Sequence, residues 1–168
     1  MENIINSVRN SIEQQNWYSA LFVALTLPDI CAALEHGTTS GNRYSQWFES
    51  NLKQYKNFLS GNDCYALRCS LLHQGKDDVS EQRLKDILEH YVFLTSGSHR
   101  NLFKDCVFNG VKKSFLQLNV GMFCEDICTA VETWLNTNSS NKDIQNRLSN
   151  TLEIHEPGYT YMGAIKFG

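Results

Sequence analysis

The segment Trp17 to His36 constrains this chain most. Leu21, Phe22, Leu25, Leu27, Ile30, Ala33 and Leu34 make it apolar on nearly every side of a helix. A helix that is hydrophobic all round has to be enclosed. Its longest uninterrupted apolar run, Ala20 to Leu25, falls far short of the roughly 20 residues that span a bilayer. The segment is therefore expected at the centre of a packed domain and not in a membrane. Pro28 lacks the backbone N–H that a continuing helix uses, so a kink, or a break and restart, is expected there. A chain of 168 residues with 42% hydrophobic composition can enclose such a helix. At that size about 70% of the unfolded surface is buried on folding, without help from disulfides or a metal. One domain over residues 1–168 is the expectation.

Other periodicities fill in around it. Ile5, Val8 and Ile12 stand at helical spacing, and Tyr44, Trp47, Phe48, Leu52, Tyr55 and Phe58 recur every three or four residues. The second pattern predicts a helix capped by Asn42 and ended by Gly61, with Asn62 opening a further helix that Gly75 stops. Ser80 to Glu89 reads as a short amphipathic turn or helix. The middle changes character: Tyr91 to Ser96 is strand-like, and Asn109-Gly110 separates two candidate strands. Asn-Gly is a strong hairpin signal because both residues tolerate positive φ. Asn119 is placed to cap a last strong helix with Val120, Cys124, Ile127, Val131, Trp134 and Leu135 inward and Glu125, Asp126 and Glu132 toward water. A weaker helix is expected from Ile144 to Leu152, followed by an extended Gly/aromatic tail. The resulting expectation is a mainly α domain, a helical bundle with a small β-hairpin insertion at residues 91–118.

Arg68 and His73 carry the most information about chemistry. Arg68 lies within the stripe of Cys64, Leu67, Leu71 and Leu72, where a guanidinium needs a carboxylate, a set of carbonyls or a subunit seam. His73 is five residues on, about 140° round a straight helix. The two converge if the helix unwinds near His73 or a second protomer closes the site.

The segment Tyr65-Ala66-Leu67-Arg68 through Leu72-His73-Gln74-Gly75 resembles the Arg-x4–6-His motif of the HEPN superfamily, small helical-bundle proteins of prokaryotic defence, toxin–antitoxin and RNA-processing systems. Phe123-Cys124-Glu125-Asp126 resembles a helix start in an uncharacterised bacterial family of that kind. The likeness covers Trp17 to Gly75 and extends to the Val120 helix. One departure is Cys69, where catalytic members often have a polar residue. The resemblance implies a metal-independent endoribonuclease built by a homodimer, with a cognate antitoxin or neighbouring-gene product as a further partner. By the same resemblance, His73 deprotonates a ribose 2′-OH and Arg68 stabilises charge on the attacked phosphate, roles that suit a neutral-range base and a planar guanidinium fork. The alternative is a non-catalytic homodimeric interaction or RNA-binding module. There Arg68 ties helices together through Asp63 or a distant carboxylate, and His73 complements a helix C-terminus.

Basic residues Arg100, Lys104, Lys112 and Lys113, opposed only by Asp105, form a candidate nucleic-acid contact on the hairpin. The formal net charge of −3 argues against a general nucleic-acid coat but leaves room for such a site. No cofactor or metal is expected. The chain has no glycine-rich phosphate loop, no Gly-x-Ser-x-Gly elbow and no His-Glu-x-x-His motif. Its six cysteines read as reduced thiols packed on apolar stripes. The polar opening MENIINSVRN has no apolar signal core, so a cytoplasmic protein is expected.

Overall fold

The computed structural model describes residues 1–79, 86, 88–161 and 164–167. The predicted segment Ser80 to Glu89 lies for the most part outside the described residues. Elsewhere the order is α1 (Glu2–Glu13), α2 (Trp17–His36), α3 (Gly41–Asn51), a 3-10 turn (Lys53–Tyr55), α4 (Gly61–Gln74), β1 (His90–Leu94), β2 (Asn101–Phe108), β3 (Val111–Asn119), α5 (Val120–Thr137), α6 (Lys142–Leu148), and a two-stranded ribbon of β4 (Thr160–Tyr161) and β5 (Ile165–Lys166).

Helix α2 occupies the centre, as its all-round apolarity requires. Ala24, Leu25, Leu27, Cys31 and Ala32 are fully enclosed, and α2 packs against α1, α3, α4, α5 and α6. Among the described residues it is the one helix long and apolar enough to cross a membrane by length and composition, and half of it is buried inside the fold. It runs through Pro28 as one helix and closes at Gly37, which takes the left-handed conformation at φ 81°.

The helix following the 37–40 loop begins two residues earlier than an Asn42 cap predicts. Ser40 is its N-cap, accepting from the Arg43 N–H. It also ends at Asn51, well short of Gly61. Gly61 instead starts α4, with Ser60 as the cap. Its role is close packing: a Cβ there would lie 2.3 Å from the Ser45 carbonyl oxygen, so α3 and α4 approach as they do because residue 61 has no side chain.

The mainly α reading with a small hairpin insertion is overturned. The protein is mixed α/β, with a three-stranded mixed sheet in the order β1-β3-β2. The hairpin β2–β3 turns at Asn109 (φ 50°) and Gly110 (φ 79°), as the dipeptide predicts. What no local signal reveals is that β1 pairs with β3 in parallel, from His90 opposite Phe115 to Leu94 opposite Asn119. A parallel pair has no connecting turn to announce it. Tyr91, Leu116 and Leu118 then enter the same core as the helices, so the sheet is a wall of the domain.

Asn119 caps α5 by accepting from the Met122 N–H. Glu125 and Glu132 do not simply face water. Both grip Arg9 of α1, at 2.7 Å and 2.6 Å. Hydrogen bonding to that guanidinium holds the Glu132 carboxyl below its ordinary range. Cys64 and Cys128 are buried thiols pushed up to about 12 by burial, and Cys31 and Cys124 are raised in the same way.

Candidate functional site

Helix α4 is delimited by the Ser60 cap and by Gly75 in the left-handed region at φ 65°. Within it Arg68 reaches across to α2, where Asp29 follows Pro28. The Asp29 Oδ1 accepts from Thr39 Oγ1 at 2.9 Å, and its Oδ2 lies 2.8 Å from Arg68 Nε. The Nε–H is not aimed along that line, so the contact is an ion pair and not a straight hydrogen bond. The Asp29 side chain is 12% exposed and that of Arg68 22%. Burial works against the guanidinium charge, yet Asp29 opposite it leaves Arg68 raised above the ordinary arginine value.

The sequence offered Asp63 or a distant carboxylate as partner. The distant one is used. Asp63 turns the other way, its Oδ1 accepting from the Asp86 and Leu88 N–H groups and fixing the start of the sheet segment against α4.

Arg68 Nη1 stands 3.3 Å from His73 Nε2. A guanidinium only donates, so the contact uses Nε2 as acceptor and places the imidazole proton on Nδ1. Convergence was expected to need an unwound helix or a second protomer. Neither condition applies to this contact: α4 stays helical to Gln74, and both residues belong to one chain. The long arginine stem spans the angular gap at the surface. His73 is exposed, whereas Arg68 is half-buried with its Nε end toward Asp29.

The four basic residues do not form one patch. Arg100 sits between β1 and β2 with its guanidinium 5.6 Å from the Tyr55 ring centroid and 6.0 Å from that of Phe58. It donates to the Gln54 carbonyl at 3.3 Å. Lys104 lines a cleft of about 280 Å³ together with Lys56, Asp63 and Asp86. Lys112 and Lys113 are neighbours on β3 and so point to opposite faces of the sheet. The Lys113 ammonium donates to His90 Nε2 at 3.0 Å.

A second histidine constellation was not foreseen. His99 Nδ1 accepts from the Asn119 N–H at 3.1 Å, so Nε2 carries the proton. That Nε2 lies 2.8 Å from the Tyr55 hydroxyl, which donates to Asp126 Oδ2 at 2.8 Å. Burial lowers the His99 pKa against the opposing pull of Asp126. The Tyr55 hydroxyl is raised, chiefly by burial and by the Asp126 charge. The helical periodicity places Asp126 toward water, and neither Tyr55 nor His99 stands near it in sequence. The nearest sequence signal is a tyrosine hydroxyl at position 55 of an aromatic and leucine stripe, a polar group that needs a partner once buried.

Among the described residues no three metal-ligating side chains cluster. Comparison with models of protein families, with curated proteins and with solved structures finds no match.

Proposed function

We propose that Arg68 and His73 form the phosphate site of a metal-independent endoribonuclease, in line with the resemblance of the α4 segment to the HEPN motif. The observation that supports it is the 3.3 Å approach of a guanidinium and an accepting imidazole nitrogen at an exposed helix end, with the guanidinium anchored from behind by Asp29. A phosphate drawn to Arg68 takes over its Nη donors. His73 Nε2 is then released from the guanidinium and its lone pair accepts the ribose 2′-OH proton. The 2′-oxygen attacks phosphorus, the 5′-oxygen leaves and is protonated by water, and a 2′,3′-cyclic phosphate remains. Asp29 is a positioning residue for Arg68.

The active form in this reading is a homodimer, with half-buried Leu71 and Leu72 beside the motif as part of the seam. A defence or toxin–antitoxin setting, with a cognate antitoxin, belongs to the same reading.

The decisive assay is cleavage of mixed single-stranded RNAs in EDTA. His73→Ala is expected to lose roughly 10²–10⁴-fold in rate, the worth of a general base. Its melting temperature should stay at the wild-type value, because the side chain is exposed. Wild-type protein that leaves RNA intact, together with a His73→Ala variant that shifts only the melting temperature, assigns the pair to a structural role in a non-catalytic interaction module. Light scattering at micromolar concentration should return twice the chain mass, and a strict monomer removes the dimeric site.

A further inference from the structure

Strand β2 contains one residue more than β3 opposite it. Phe103 faces Phe115, but the next outward pair is Cys106 with Lys113. The extra residue lies at Asp105, which adopts φ 52°, a region that side chains other than glycine seldom occupy. A bulge reverses the alternation beyond it. With regular alternation Val107 would share a face with Phe103. With the bulge, Phe108 does, opposite Val111.

The outcome is a row of three rings on the sheet face turned away from the core. Phe103 and Phe115 stack with centroids 4.6 Å apart and planes at 14°, and Phe108 stands 6.2 Å from Phe115. Phe103 is 40% exposed and Phe108 52%. Lys113 shares this face, and Lys112 points to the opposite one. Leu116 and Leu118 point the opposite way and are fully buried. Arg100 and Lys104 lie off this face, against the Tyr55 ring and in the cleft beside Asp63, so Lys113 supplies its positive charge. Aromatic rings exposed side by side, with the Lys113 ammonium on the same face, suit a polyanion with flat apolar faces better than an apolar protein surface.

We infer that this face is a stacking platform for single-stranded RNA, with bases on Phe103 and Phe108 and a phosphate on Lys113. The inference rests on the proposed ribonuclease reading for its biological sense and adds the surface that holds unpaired RNA, whose bases are free to stack. Duplex RNA hides those faces.

The test is fluorescence anisotropy with a labelled 2′-O-methyl oligouridine, which lacks the attacking hydroxyl and so reports binding without cleavage. Wild-type protein should bind it at low salt, and bind the matching duplex more weakly. Phe103→Ala with Phe108→Ala should weaken binding on the order of tenfold or more, with circular dichroism unchanged. Phe103→Tyr with Phe108→Tyr should restore it, because a phenol ring still stacks. Unaltered affinity in the double alanine variant overturns the platform. So does a double variant that turns a dimer into a monomer while RNA affinity holds, which gives the face to a second copy of the chain. Ring-dependent binding without any cleavage refutes the proposed active site and leaves the platform standing. Cleavage that needs His73 but not the rings does the reverse.

Discussion

Two regions of this protein each join a histidine to a carboxylate through a third side chain, and they differ in almost everything else. Asp29, Arg68 and His73 run from the core outward, ending in an exposed imidazole on α4. Tyr55, His99 and Asp126 close on themselves. The Tyr55 residue is fully buried and the His99 side chain is 5% exposed, with both of its ring nitrogens taken. An imidazole of the first kind can exchange its contact with arginine for one with a ligand. One of the second kind is spent on tying the 3-10 turn, the β1–β2 connection and the start of α5 together. Burial with every donor and acceptor matched makes a strut, and exposure with one displaceable contact makes a site.

The largest effect that would break this comparison lies at the buried end of the first region. Arg68→Ala leaves the Asp29 carboxylate without its counter-ion, and urea denaturation should show a loss of about 3 kcal/mol. Adding Asp29→Asn to Arg68→Met should recover most of it, since the uncompensated charge is then gone. A loss within about 0.5 kcal/mol for Arg68→Ala would place that pair among surface contacts and erase the gradient from core to site.

Next comes Tyr55→Phe, which removes the hydroxyl that receives the His99 proton and donates to Asp126. Stability should fall by about 1–3 kcal/mol, the cost of stranding a buried donor. RNA cleavage by the folded variant should be unchanged. A variant as stable as wild type would show that the closed network is not a strut.

The smallest effect sharpens the contrast through pH. The folded pKa of His99 is depressed below its unfolded value, so the unfolded chain binds the proton first. This group's contribution is complete above an unfolded pKa of about 6.5 and is lost as pH falls from there through the folded value. Melting temperature recorded downward from pH 7.5 should decline more steeply for wild type than for His99→Asn. Parallel curves would remove His99 as the source of that slope.

Much of the helical framework was legible along the chain. The apolar run of α2, the Gly75 stop, the Asn119 cap and the Asn109-Gly110 turn are local devices, and the physics that sets them acts over a few residues. The Arg68–His73 motif was legible for the same reason, being a spacing within one helix. Its partner was not: nothing near Pro28 marks Asp29 as the carboxylate that receives Arg68. Gly61 looked like a helix stop because a glycine that ends a helix and one that lets a neighbouring helix approach are identical in sequence.

The sequence by itself determined the α2 helix and its central place, the Gly75 stop, the Asn119 cap and the Asn109-Gly110 turn, because periodicity, capping and turn chemistry are short-range. Only the tertiary structure decided that β1 joins β3 in parallel, that Asp29 holds Arg68, and that residues 55, 99 and 126 meet. It also decided that a single inserted residue at Asp105 turns Phe108 outward. These are contacts between distant segments. They follow from which faces remain to be covered once the core is packed, a property of the whole chain that no window of neighbouring residues contains.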